Sequence, residues 1–241
     1  MKIASLSPDQ APPIGVPLSF FAVAPVFLVL AALLLATGDG NPFANAHTPA
    51  LLAATHCITL GFMAMIMVGA IQQVLPVVIG SQMPAPRLVA WLTILPLTAG
   101  ALLLTSGFVL GKPELLDLSW ALLGAAFLIF IGASLFSLAR AQSKNPTRTA
   151  ILLSILSLAG AVALGMLLAR GYAAGLSIPY ASLATAHISL ALGGWVMLLI
   201  IGVSYQVVPM FQLTPNYPKW LTAYLAPAIF AALLLSLVPL L

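Results

Sequence analysis

Two histidines, His56 and His187, stand in similar apolar surroundings and are the residues best suited to chemistry in this sequence. Each lies beside threonine and alanine, is followed by a patch of small residues that includes glycine, and precedes a Gln-x-x-Pro sequence at residues 73–76 or 206–209. The spacing between histidine and glutamine differs by two residues between the stretches, so they form an approximate echo and not an exact repeat.

These two imidazoles point to metal ligation. No Asp, Glu, Lys or Arg lies near them in their apolar runs, which favours neutral rings bound to a partner over a charged pair. Iron in a porphyrin fits, because axial imidazoles bind it through one ring nitrogen and its apolar faces suit apolar surroundings. We therefore expect His56 and His187 to ligate one b-type heme. The alternative is that both histidines form hydrogen bonds between helices, without a cofactor.

The elements that must position them are membrane helices. Hydrophobic residues make up 62% of the 241 residues and charged residues 5%, against about 25% charged in soluble domains. The sequence predicts an all-α integral membrane protein, a bundle of seven transmembrane helices forming a single domain over residues 1–241. The lipid bilayer is thus a partner, and the dispersed basic residues exclude nucleic acid. The predicted spans are about 16–37, 49–79, 88–110, 118–140, 149–169, 179–209 and 219–240.

With seven spans, each charged residue can be assigned to one of the two sides of the membrane. Of the basic residues, only Lys112 and Arg170 fall on the second side, with three of the four acids. The positive-inside rule then predicts a cytoplasmic N-terminus and an outside C-terminus. Both histidine spans run inward from the outer side, with His56 seven residues after Pro49 and His187 eight after Pro179. Both imidazoles are expected roughly 10–12 Å below their helix starts.

Four further residues are candidates for contact with the cofactor. Gly61 and Gly194 would let a helix backbone approach a flat ligand, although glycine is also common where membrane helices pack together. His47 and Arg170, on the outer side, could bind heme propionates, and His47 could instead bind a metal ion. The alternatives are a loop histidine without a role and an interfacial anchor.

Two other groups favour structural roles. Met63, Met65 and Met67 suggest copper ligation, but core filling explains them better, so copper is not supported. Polar residues cluster at the inner ends of the two histidine spans, where we favour interfacial capping over a quinone or proton site. These residues are Gln72, Gln73, Tyr205 and Gln206.

A longer motif surrounds the second histidine: HISLALGGWVM begins at His187, and GVSYQVVP begins at Gly202. It resembles the tenth helix of the catalytic subunit of heme–copper oxidases, most closely the cbb-type oxidases and nitric oxide reductases. His56 and the glycines after it resemble that family's second helix. The resemblance implies a short, divergent member in a bacterial inner membrane, with His56 and His187 as the axial pair of a low-spin heme. A family of heme- and copper-containing membrane proteins linked to nitric oxide resistance is another relative that the residues allow.

The departures from that family limit the function. The family's second histidine would fall at Thr185 or Ser189, and spans three to five contain no histidine to hold copper. Oxygen or nitric oxide reduction of the family type is therefore not expected, and whether the chain is an enzyme stays open. The sequence predicts a membrane cytochrome for electron transfer or heme-based handling of a small ligand, with a quinone or redox protein as partner and a homo-oligomer as a further possibility. The alternative is a non-heme transporter or scaffold.

Overall fold

The computed structural model describes residues 7–38, 41–141 and 144–240. Over these residues the chain is helical and has no β-strand, and seven helices are long and apolar enough to cross a membrane. The predicted all-α membrane architecture is confirmed at this level. The seven helices are α1 (Gly15–Thr37), α2 (Pro49–Ile79), α3 (Pro86–Leu110), α4 (Pro113–Arg140), α5 (Pro146–Ala174), α6 (Tyr180–Gln212) and α7 (Lys219–Leu237).

Several helices begin earlier than hydropathy predicts, because their first turns are polar and still helical. Proline is favoured at the first helical position, where its missing N–H would have no partner in any case. The side chain of Thr48 accepts a bond from Leu51 N before α2, and that of Asn145 accepts one from Arg148 N at 2.8 Å before α5. Four helices start at such a proline: Pro49, Pro86, Pro113 and Pro146.

Helices α2 and α6 share a departure from regular α-geometry. Each contains an eight-residue π-helical segment, Cys57–Ala64 in α2 and Ser189–Val196 in α6, with α-helix on both sides. π-Helical turns are rare and occur frequently at functional sites. Their presence in the two histidine helices alone, among the described residues, sets these helices apart from the other five.

Helix packing places α2 and α6 in different neighbourhoods. Helix α2 packs against α1 and α3, whereas α6 packs against α5 and α7. Helices α3 and α4 pack extensively and run antiparallel, with Gly100 against Leu123 and Gly107 against Leu116. Over the described parts of the chain, α2 and α6 do not pack directly on each other along any extended stretch.

Side-chain contacts identify the two ends of the bundle. At one end, called here the Arg148 end, Ser137 donates to Ser81 O at 2.7 Å, and the Arg148 guanidinium donates to Leu138 O. At the other end, called the Asp117 end, Asp117 pairs with Arg170. Arg148 thus lies at the opposite end of the bundle from Asp117 and Arg170, and the side of the membrane that each end faces stays a prediction. Two members of that argument, Lys2 and Asp39, lie outside the described residues.

Candidate functional site

The two histidines occupy equivalent positions in their helices. His56 lies seven residues after Pro49, the first residue of α2, and His187 lies seven after Tyr180, the first residue of α6. At about 1.5 Å per residue, both are roughly 10 Å below their helix starts. The sequence estimate differed by one residue for His187, because α6 begins at Tyr180 and not at Pro179.

The π-helical segments directly follow the histidines. One begins at Cys57, immediately after His56, and the other at Ser189, two residues after His187. A π-turn is wider than an α-turn and shifts the register of every residue beyond it. Each histidine therefore lies just before the point where the π-helical turns rotate the following side chains relative to a regular α-helix. This feature is not visible in the sequence, since glycine-rich apolar runs are equally compatible with regular α-helix.

Main-chain hydrogen bonds fix the tautomer of both imidazoles. His56 Nδ1 lies 2.8 Å from Leu52 O in its own helix, and His187 Nδ1 lies 2.8 Å from Ala161 O in α5. A carbonyl oxygen can only accept, so each Nδ1 carries the proton and donates it. Each neutral ring therefore keeps its lone pair on Nε2, the atom available to a metal. Such a bond from the other ring nitrogen is usual for metal-ligating histidines.

The His56 ring is held laterally by aromatic contacts. Its centroid lies 5.5 Å from that of Phe108 in α3, with the planes tilted by 40°. Phe108 in turn meets Tyr172 of α5 edge to face at 5.6 Å. These rings connect α2, α3 and α5 near the Asp117 end. His56 is partly buried there.

The His187 ring lies against α5. A Cβ built on Gly165 would be 2.8 Å from His187 Cε1, so only glycine leaves room for the ring there. Gly165 lies one turn beyond Ala161, whose carbonyl accepts from His187 Nδ1. Helix α5 thus supplies both the space and the acceptor. Neither residue could be assigned to the site from the sequence: a glycine within a helix indicates close approach, but it does not indicate which side chain approaches.

The two glycines expected to face a cofactor contact protein side chains. A Cβ on Gly61 would overlap the Phe27 ring of α1, and one on Gly194 would overlap Ser157 of α5. Both positions therefore explain close helix packing. Contact between either glycine and a heme stays a prediction that these neighbours do not support.

His47 and Arg170, the two candidates for binding heme propionates, both lie near the Asp117 end but have different hydrogen-bond partners. His47 is exposed in the segment before α2, and its main-chain N–H donates to Asn45 Oδ1 at 2.8 Å. Arg170 has a carboxylate partner of its own, Asp117. Its pairing with a propionate would have to compete with this bond. The structure does not bring either residue into contact with His56 or His187 through a hydrogen bond.

Of the residues predicted to have structural roles, Met65 agrees with its prediction and Gln72 does not. Met65 is completely buried in the core, as core filling predicts. No group of three or more His, Cys, Asp or Glu side chains that could hold a metal occurs in the described part of the chain. Gln72 differs from its prediction: it is 1% exposed, so it is a buried residue and not an interfacial cap. Hydropathy alone could not distinguish a glutamine near a helix end from one inside the bundle.

The arrangement as a whole offers two neutral imidazole donors at one depth in apolar surroundings. Imidazole suits iron, copper, zinc and nickel, and the absence of a third strong donor among the described residues favours a metal that brings its own equatorial ligands. The likeness to heme–copper oxidases rests only on the sequence motifs around His56 and His187. Comparisons of the chain with models of protein families, with curated proteins and with solved structures found no match.

Proposed function

We propose that this protein is a membrane b-type cytochrome that holds one heme between Nε2 of His56 and Nε2 of His187. One observation carries the proposal: both histidines, at equal depth in their helices, donate Nδ1–H to a main-chain carbonyl and keep the Nε2 lone pair free. Helices α2 and α6 pack with different neighbours, which is compatible with a flat ligand between them. The heme would supply one-electron oxidation and reduction.

The protein's own residues would set the properties of this site. Leu52 O and Ala161 O orient the imidazoles and increase their basicity as ligands. With both axial positions filled, a gas would have to displace a histidine, so electron transfer is the favoured activity and a quinone or redox protein the expected partner. We further propose that the Asp117 end faces outward across a bacterial inner membrane, with the N-terminus in the cytoplasm.

Absorption spectroscopy tests the proposal. Protein purified in detergent from heme-replete cells is expected to show a Soret band and a sharp reduced α-band. His56→Ala and His187→Ala should each abolish these bands, whereas His47→Ala, which changes an exposed loop histidine, should retain them. A colourless wild-type protein, or full heme content in either ligand variant, would contradict it.

One observation favours a second candidate, a transporter or scaffold without heme. The His187 Nδ1 bond to Ala161 O joins α6 to α5, as expected of a histidine that serves helix association. Under this alternative the wild-type protein is colourless and His187→Ala lowers its thermal stability. His56→Ala has less effect, since the His56 bond stays within α2.

A further inference from the structure

Three buried polar side chains in the half of the bundle nearer the Arg148 end lack a hydrogen-bond partner in the protein. Gln72 is 1% exposed, and Thr93 and Ser134 are 0% exposed. Both amide atoms of Gln72 and both hydroxyls are unpaired. By contrast, the equally buried Ser119 and Ser154 donate to carbonyls of their own helices. Unpaired buried polar groups are uncommon in native proteins, so this cluster needs an explanation.

The three side chains lie at similar depth on neighbouring helices. Gln72 is seven residues before the end of α2, Thr93 is seven after the start of α3, and Ser134 is six before the end of α4. Since α2 and α4 end, and α3 begins, on the same side, all three are roughly 10 Å from the Arg148 end. Helices α2, α3 and α4 also contact one another in pairs.

The relative positions of the helices place Gln72, Thr93 and Ser134 at similar heights along the bundle axis. Gln72 lies beyond the π-helical segment of α2, so its level is taken from the helix end: Gln72 and Thr93 are each seven residues from the Arg148 end of their helices and so lie at one level. The pairing of Gly100 with Leu123 likewise places Thr93 opposite Phe130, one turn from Ser134. The three polar side chains therefore fall within about one helical turn of each other along the bundle axis.

Two prolines add main-chain acceptors at this level. Pro76 has no N–H to donate to the carbonyl of Gln72, four residues earlier, and Pro96 has none for the carbonyl of Leu92. In membrane helices such freed carbonyls are bonded by neighbouring helices, side chains or ordered water. The cluster thus combines donors, the amide NH₂ and two hydroxyls, with several acceptors.

We propose that α2, α3 and α4 enclose a bound water site formed by Gln72, Thr93 and Ser134. Water suits the cluster because it both donates and accepts, and buried waters typically bond three otherwise unpaired polar groups. A metal cation fits less well, since the Gln72 NH₂ group cannot ligate it and no charged residue lies within one helical turn of Gln72, Thr93 or Ser134 to neutralise it. The site is independent of the histidines and of the proposed heme.

Apolar substitutions distinguish a hydrated site from a dry one by the sign of their effect. In a hydrated site, Gln72→Leu, Thr93→Val or Ser134→Ala leaves water and the remaining side chains short of a partner, which lowers the unfolding midpoint by at least about 2 °C. If the groups are dry, each substitution removes an unpaired polar group and raises the midpoint. Cys57, the single cysteine and a buried one, allows thiol-reactive fluorescence to report unfolding.

A double variant and a control variant complete this experiment. Gln72→Leu combined with Thr93→Val should lower the midpoint by less than the sum of the single changes, because both act on the same water. Ser154→Ala, which removes a buried hydroxyl bonded within its own helix, is the matched control and should shift the midpoint less. Raised midpoints, or strictly additive lowering, would overturn the proposal.

A second measurement needs only the wild-type protein and covers variants that fail to fold. Radiolytic hydroxyl labelling modifies buried side chains that adjoin bound water. Phe130, opposite Thr93, should be labelled more than Phe20, which is equally buried in α1. Adding H₂¹⁸O should introduce the heavy oxygen at Phe130. Labelling of Phe130 no greater than that of Phe20 would also overturn the proposal.

Discussion

At the scale of single residues, the two histidines reach the same tautomer by different routes. His56 donates to a carbonyl one turn earlier in its own helix, so any regular α-helix at this position offers the same acceptor. His187 donates to Ala161 O in another helix and depends on how α5 and α6 pack. The orientation of His56 is thus encoded locally, whereas that of His187 is a product of tertiary structure.

Gly165 provides a direct test of the His187 position. Gly165→Ala places a methyl group 2.8 Å from His187 Cε1, so the ring or α5 must shift, at a cost of about 1–3 kcal/mol in folding free energy. We expect reduced heme content and a lower unfolding midpoint. The measurement is the ratio of Soret to protein absorbance, together with thermal unfolding.

Gly132→Ala is the matched control for this change. Gly132 is an exposed helical glycine, and a Cβ there meets nothing within 4 Å. Alanine favours helix over glycine by about 1 kcal/mol, so this variant should keep its heme and be no less stable. Equal behaviour of the two variants would show that the His187–Gly165 contact does not matter.

At the scale of helices, the π-helical segments are what distinguish α2 and α6. Both begin within two residues of a histidine and both run for eight residues. A register shift there changes the face that each histidine presents relative to the part of the helix nearer the Arg148 end. Below the segments, Gly69 packs on Phe20 of α1 and Gly202 on Ala150 of α5. The segments therefore join the half of each helix that carries the histidine to a half that packs on α1 or α5 through a glycine.

The role of Gly61 can be decided at this scale. If Gly61 serves α1–α2 packing, Gly61→Ala lowers the free energy of unfolding by about 1–3 kcal/mol because the new methyl overlaps Phe27. Combining it with Phe27→Leu should recover part of the loss, giving less destabilisation than the sum of the single changes. Thermal unfolding of the three variants measures this coupling. Loss of the heme bands without loss of stability would instead favour a glycine that faces the cofactor.

At the scale of the whole molecule, the surface is that of a membrane protein. Large apolar side chains project outward along the helices, among them Leu128 at 73% and Leu235 at 70% exposure. Helix α7 is the least covered, with only 6% of its apolar window buried. Lipid or a second copy of the chain would cover such a surface, and a homo-oligomer stays a prediction.

The proposed orientation predicts accessibility from each side. In a Cys57→Ala background, His47→Cys at the Asp117 end should react in intact cells with a membrane-impermeant thiol reagent. Lys219→Cys, at the start of α7 and equally exposed, should react only after the membrane is opened. The physical reason is the bias of basic residues toward the cytoplasm. The reverse labelling pattern would invert the topology and place the histidines near the cytoplasmic side.

Much of the fold followed from hydropathy because membrane helices must satisfy their main chain internally and must be apolar over about 20 residues. The predicted and observed bounds of α2 agree, 49–79 in both. The starts of α3, α4 and α5 were placed late, since hydropathy detects the apolar part of a helix and Pro86, Pro113 and Pro146 precede it. Pairing of histidines could be proposed from similar spacing, but their bonding partners could not.

The sequence by itself determined the helical membrane architecture, the seven spans and the similar distances of His56 and His187 from their helix starts, because length, hydropathy and distance from a helix start are properties of a single segment. Only the tertiary structure decided that His187 donates to Ala161 O and packs on Gly165. It likewise decided that Gly61 packs on Phe27 and that Gln72 is buried without a hydrogen-bond partner in the protein. These facts depend on helix rotation and on the two π-helical segments. An almost uniformly apolar helix carries little information about which face meets which neighbour, so packing of the whole bundle sets them.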